Sequence, residues 1–417
     1  MKFLLPQNVA SNVTLSDERA SALIEEADTI INETLVANEC FIRNGSTLEP
    51  PEWKLVRVRD GVQVYRQRQN WAQRLGTPPP SYPVIESPNE REFKRYGSTA
   101  SVDQVHDNQT SWSSWSSLGM KGDTIMEKLR PHGVTLMALH GTLDGTLEDC
   151  MFGCVAPTDD AWMLRSSHLN DGVDDSRIIA ALRRPTSTDP CCFLGVKWFL
   201  KAHPALITGF VQKRDFLLLE ATGYTQDTSG EKVGYVLLHS ITLRDLPELA
   251  HLGIVRGLIR FCYIFRQNGS GKIDIFCRGY FDSRGDMPRR LSVSIAAEAT
   301  IAVVGVVDYA HVKKLIWLIR HSRKHVAVDA TNASCCGVCA KNFSKLFFHS
   351  SAPCQICHRV ICFKCTVLKK MTVHVATSGK VLQRSFRFCL QCLLQATQMS
   401  GWDMAISNVE ASSTSSS

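Results

Sequence analysis

The chain has 417 residues, 44% of them hydrophobic and 21% charged, with a formal net charge of +7. That length allows two or three packed domains, and the ordinary polarity excludes a wholly disordered or fibrous chain. The charge is uneven: residues 333–395 hold nine Lys/Arg and no Asp or Glu, whereas residues 1–310 hold 33 basic and 37 acidic side chains.

The first residues, MKFLLPQNVASN, carry too short an apolar run for a secretory signal. A reduced, cytoplasmic setting is therefore expected, in which clustered Cys-x-x-Cys pairs mean metal sites rather than disulfides. Seven scattered cysteines (Cys40, Cys150, Cys154, Cys191, Cys192, Cys262, Cys277) read as small core residues.

In chain order, residues 15–38 repeat apolar side chains at helical spacing. Ser16 is the expected N-cap, with Asp17 and Glu18 in the first turn, so 1–48 reads as an N-terminal helical segment. WKLVRVRD and VQVYRQR alternate in polarity about Asp60-Gly61, which predicts a hairpin. GTPPPSYP and QTSWSSWSSLG mark 69–120 as a Pro/Ser/Trp-rich insertion or long loop. Regular structure resumes at GVTLMALHGTLDGT, and LEDCMFGCVAPTDDAWMLRSSHL has the spacing of one or two short helices. Strand-like runs follow: SRIIAALRR, FLGVKWFLKA, RDFLLLEATGYT, VGYVLLHSITL, then RGLIRFCYIFRQ and KIDIFCRGYF joined by the hairpin signal NGSG.

Residues 289–324 read as one long helix with a basic end. Its most apolar window, 291–307, contains Glu298 and is shorter than the roughly 20 residues a membrane span needs, so a core helix is expected. Strands linked consecutively favour an antiparallel sheet, and a helix apolar nearly all round packs on one face of it. A helix gripped by a curved sheet often leaves an apolar cavity. His140, His203 and His239 stand isolated, with no readable triad or carboxylate pair, and no enzyme is expected.

Nine of the 16 cysteines cluster near the C-terminus, eight of them spaced Cys336-x2-Cys339-x14-Cys354-x2-Cys357-x4-Cys362-x2-Cys365-x23-Cys389-x2-Cys392. A short Cys-x-x-Cys turn can place both sulfurs about 2.3 Å from one Zn²⁺. Four pairs make two closed sites, and pairing the first with the third and the second with the fourth would knit the segment into one unit. Two structural zinc ions are expected to supply most of the folding free energy of so small a module. Cys336 is expected as the ligand rather than the adjacent Cys335, because Cys-x2-Cys is the commoner geometry. The module's basic balance suggests an anionic partner.

WKLVRVRDGVQVYRQ, GTLDGTLEDCMFG, FLGVKWFLKAHPAL, RDFLLLEATG, GYVLLHS and AHVKKLIWLIRHSRKH precede the cysteines. With them, the chain resembles, over nearly all of 1–395, the START-like proteins with a FYVE-type zinc finger that are abundant in oomycetes. The resemblance implies an α+β fold. A START-like helix-grip domain at 49–327 would wrap a curved antiparallel sheet around the long helix and hold a lipid in its cavity. A two-zinc FYVE-like finger would follow at 333–395, and the Ser-rich tail 396–417 is expected to be disordered. The family's finger binds phosphoinositide on endosomal membranes through a basic box, which here reads FFHSSAP before Cys354. What remains at headgroup positions is Arg387, with Arg359 and His349. KLFF lies where that family carries a membrane-inserting loop, so Leu346, Phe347 and Phe348 either enter a bilayer or pack on the zinc core.

The expected function is a lipid-binding adaptor, cytoplasmic and peripheral on endosomal membranes, that meets an anionic or phosphoinositide-bearing surface. The alternative is an intracellular scaffold whose finger binds protein. A RING-type ubiquitin ligase is disfavoured by the all-Cys ligand set. No nucleic-acid partner is expected, because the basic residues lack an aromatic-interleaved stripe.

Overall fold

The computed structural model describes residues 13–50, 52–68, 124–201, 212–322, 334–343, 352–375 and 381–414. The expected insertion at 69–120 lies outside the described residues, as do Leu346, Phe347, Phe348 and His349.

Helix α1 (Asp17–Arg43) begins where its cap is: Ser16 Oγ accepts from Arg19 N at 3.2 Å. Strands β1 (Trp53–Arg59) and β2 (Val62–Gln67) turn through Asp60 and Gly61 at φ 48° and 80°, as a tight hairpin requires. Then come α2 (Ile125–Lys128), β3 (Leu136–Asp144), α3 (Leu147–Cys154), α4 (Asp159–Leu169), β4 (Val173–Arg183) and β5 (Phe193–Lys201). They are followed by β6 (Lys213–Gln226), β7 (Lys232–Ser240), β8 (Ile254–Arg256), β9 (Leu258–Asn268) and β10 (Lys272–Asp282). One 10-stranded sheet results, ordered β1-β2-β3-β10-β9-β7-β6-β5-β4, with β8 beside β6. Every pairing along that order is antiparallel, and only β8 runs parallel to its neighbour.

Period-two alternation buries both faces of this sheet. On β5, Phe193 and Phe199 face one side while Leu194, Val196, Trp198 and Leu200 face the other. On β6, Phe216 and Leu218 likewise oppose Leu217, Leu219 and Ala221. Helix α1 covers the second side with Leu23, Ala27, Ile30 and Ile31. It therefore belongs to the sheet's core and is not a segment of its own.

The first side, called the inner face below, receives α3 and the long C-terminal helix. That helix is not continuous: α5 (Arg289–Ile301) gives way to a 3-10 turn at Ala302–Gly305 and then to α6 (Val306–His321). The 33 residues are apolar enough to cross a membrane by composition. Here Ala296, Ala297, Ile301, Val306 and Ala310 pack into a core with Phe152, Phe261 and Ile275. Helix α5 lies on β1, β2 and β10, whereas α6 rides on α3. Gly153 permits the crossing, since an added Cβ there would lie 2.0 Å from Val306 O.

The cysteine module contains the short pair β11 (Ala352–Pro353) and β12 (Val360–Ile361), the hairpin β13 (Thr366–Val375) and β14 (Val381–Cys389), and helix α7 (Leu390–Gln398). It docks on α6: Tyr309, Val312, Leu315 and Leu318 share a core with Ile356, Ile361, Met371 and Phe388. The tail expected to be disordered instead folds as α8 (Gly401–Thr414), packed on α3. Met404 and Ala405 enter the inner-face core, and Trp402 meets the Tyr224 ring at 5.7 Å. The serines concentrate at the very end of the chain, and they mask this apolar segment when the tail is judged by composition alone.

One pair, a buried histidine and a half-buried glutamate, ties α1 to the sheet and makes stability pH-dependent. His239 of β7, 1% exposed, lies with Nε2 3.0 Å from Glu26 Oε1. The hydrogen bond to His239 lowers the Glu26 pKa against the opposing effect of burial. Burial lowers that of His239, and Glu26 only partly restores it. As pH falls below about 6.5, the unfolded imidazole takes up a proton before the folded one does. Glu26 then loses its contribution as pH falls through its own depressed value. Both slopes run the same way, so the melting temperature should drop from pH 7 to pH 5, and His239→Gln should flatten that drop. An equally steep drop in the variant would contradict this assignment.

Candidate metal centre

Two equivalent turns begin the cysteine module. In the first, Ala340 N donates to Cys336 O at 2.9 Å, and Ala340 is left-handed at φ 56°. In the second, His358 N donates to Cys354 O at 3.0 Å, with φ 58°. Each turn brings a Cys-x-x-Cys pair to one point. The third and fourth pairs then arrive in matching fashion: Cys362 N donates to Cys336 Sγ at 3.3 Å, and Cys389 N to Cys354 Sγ at 3.4 Å.

Two groups result, Cys336, Cys339, Cys362 and Cys365, and Cys354, Cys357, Cys389 and Cys392, each with sulfurs within 4.8 Å of one another. This is the alternate pairing expected from the spacing. Cys339 and Cys362 sulfurs lie 3.8 Å apart, and Cys357 and Cys389 sulfurs 3.9 Å. Four sulfurs about 2.3 Å from a central ion sit about 3.8 Å from each other, whereas a disulfide needs about 2.05 Å. The geometry therefore suits a tetrahedral metal and not a disulfide. Cys335 is exposed and belongs to neither group.

The two arginines expected at a headgroup have different surroundings. Arg359 Nη1 donates to Gly337 O at 3.0 Å and Nη2 to Gln391 Oε1 at 2.6 Å. Its pKa is raised first by a hydrogen bond to Cys357. Arg359 thus links the two turns and places a cation beside the second thiolate group. Arg387 is exposed on β14, opposite Leu368 of β13.

A second concentration of charge lies under α3 and α4 on the inner face. Arg165 of α4 forms a two-pronged contact with Glu220, both distances 3.1 Å. Lys197 Nζ, wholly buried, donates to Glu220 Oε1 at 2.8 Å and to Ala156 O at 2.9 Å. Burial alone would raise the Glu220 pKa, but the Arg165 and Lys197 charges outweigh it and hold the carboxylate ionised. Burial dominates at Lys197 and lowers its pKa. The group carries one net positive charge inside the fold. The sequence shows it only through parity: Lys197 shares a face with Phe193 and Phe199, and Glu220 with Phe216 and Leu218.

Two hollows adjoin the helices. One of about 250 Å³ opens at the start of α5 between Met137, Phe281, Val293 and Ala296. Another of about 560 Å³ lies where α4, α6, β13 and α8 meet, walled by Leu164, Tyr309, Ile316 and Trp317.

No family model matches this chain, and no curated protein matches it. Among solved structures it is similar to human STARD10, at 12% identity over 75% of this chain and 87% of that one, with a TM-score of 0.37. It is similar to the human StAR-related lipid transfer protein 5 at 15% identity, over 70% and 96%, TM-score 0.37. A fragment of a STAR-related lipid transfer protein from Xanthomonas axonopodis matches at 12% identity, over 61% and 96%, TM-score 0.34. Likenesses this loose carry no argument about the ligand.

Two substitutions probe the site. Cys336→Ser should remove one of two bound metals, counted by native mass spectrometry, while Cys335→Ser should keep both; the reverse result would reassign the ligand. Glu220→Ala leaves two buried cations unpaired and should cost about 3–5 kcal/mol in urea unfolding. A cost under about 1 kcal/mol would mean that water reaches the cluster.

Proposed function

We propose that this chain is a non-enzymatic lipid-binding adaptor, a START-like domain fused to a two-zinc, FYVE-like module. The observation that carries the reading is the grip itself. An apolar helix crosses the inner face of a ten-stranded, almost wholly antiparallel sheet, with a hollow of about 250 Å³ at its start. An apolar ligand entering there would meet Met137, Phe281 and Val293. Zinc is the metal that an all-thiolate tetrahedral set favours, alongside iron–sulfur chemistry. Closed four-sulfur sites leave no position for water, so the ions hold the module together.

The module's outer surface supports a peripheral position on an anionic membrane in the cytoplasm. Phe363 is 79% exposed, and Leu368, Leu390 and Leu394 are exposed as well. Lys364, Lys370 and Arg387 are exposed on the same module. Basic residues near an anionic surface are worth about 1 kcal/mol each. Phosphoinositide recognition at endosomes would run through Arg387, because Arg359 is engaged within the module. The same exposed apolar residues would serve a scaffold that binds protein instead.

Native mass spectrometry of the gently purified chain separates these readings. The adaptor should carry two zinc ions and a co-purified lipid. Two zinc ions without lipid, and no uptake from added vesicles, would leave the scaffold.

A further inference from the structure

A cleft of about 650 Å³ opens between the β1–β2 pair and the first turn of α5. Its walls carry Lys54, Arg66, Arg289 and Arg290, with Leu55 and Val293 beside them and no acidic residue. Arg289 donates to Gly133 O and Thr135 Oγ1, both at 2.7 Å. Among the described residues, no carboxylate pairs with Lys54, Arg66 or Arg290. The acid that α5 presents to this strand, Glu298, is already shared by Arg57 and Arg59.

Two features of this cleft work against folding. Lys54 and Arg66 are direct partners across β1 and β2, where like charges repel. Arg289 and Arg290 occupy the first turn of α5, which has no acid and no side-chain cap, although the positive end of a helix disfavours cations. Protection of an edge strand explains basic residues on β1. It does not explain Arg66 on the second strand or two arginines on a helix lining the same cleft. A bound polyanion relieves both repulsions at once.

We propose that this cleft binds a phosphate-bearing ligand, held by arginine forks and Lys54. The phosphate belongs either to a lipid headgroup or to a soluble polyphosphate. The site adjoins the hollow proposed for the inner-face lipid, sharing Arg289 and Val293 with it, and lies apart from the cysteine module.

The test uses the full metal-loaded chain. One arm titrates inositol hexakisphosphate by calorimetry; the other sediments the protein with phosphatidylcholine vesicles containing or lacking phosphatidic acid. At least one arm should show saturable binding, and the responding arm assigns the source of the phosphate. Removing three charges in Lys54→Gln/Arg66→Gln/Arg290→Gln should weaken that binding roughly 100-fold, at about fivefold per charge. Arg244→Gln, an exposed arginine outside both the cleft and the cysteine module, should bind like the unaltered chain. Without ligand, the triple variant should melt no lower than the unaltered chain, because the repulsion is gone. Absence of binding in both arms, or equal binding by the triple variant, would overturn the proposal. Neither result depends on whether lipid co-purifies.

Discussion

The described structure turns on one wholly buried ammonium group. Lys314 of α6 lies 2.6 Å from Asp149 Oδ1 on α3 and donates to Met399 O, between α7 and α8, at 2.7 Å. It joins the sheet domain, the long helix and the C-terminal helices in a single contact. A buried charge removed from its partner costs several kcal/mol, so these three parts gain by staying together. Close packing reinforces the contact. An added Cβ at Gly401 would lie 2.7 Å from the Glu148 backbone, and Ser400 Oγ donates to Glu148 Oε2 at 2.9 Å. Helix α3 is thus held between α6 on one flank and α8 on another.

That arrangement changes what the cysteine module is to the rest of the chain. A small metal-held unit at the end of a linker would move freely. Here Met371 and Phe388 of its hairpin share a core with α6, and Lys369 Nζ reaches Asp308 Oδ1 at 2.7 Å. A metal held by the two cysteine groups would order the hairpin, and the hairpin covers apolar surface of the helix that grips the sheet. The metal sites therefore bear on the inner face without touching it. The two exposed faces, the module's outer surface and the cationic cleft at the start of α5, are placed in a fixed relation by the same contacts.

Much of this was legible in sequence, and the reasons are local. Ser16 announced α1, Asp60-Gly61 the first hairpin, and NGSG the turn between β9 and β10, because caps and left-handed turns depend on few neighbours. The cysteine spacing suggested the alternate pairing because four residues between two pairs leave little freedom. What escaped depended on partners far away in the chain. The 3-10 break at Ala302–Gly305 lies just before Val306, where Gly153 of α3 makes a close approach that the helix's own pattern does not contain. Helix α8 escaped because Trp402, Met404 and Ala405 are few among serines and need α3 and Tyr224 to be apolar partners. Arg359 read as a headgroup residue because Gly337 O and Gln391 become its partners only once both cysteine turns have formed.

The central claim is that metal-dependent order in the module is coupled to the helix on the inner face. Hydrogen exchange before and after chelation measures this directly. Coupling requires that chelation speed exchange in 306–321 and 401–414 as well as in 334–398, with the strands β5 to β7 left protected. Faster exchange confined to 334–398 would contradict it, and the module would then be a passenger on the sheet domain.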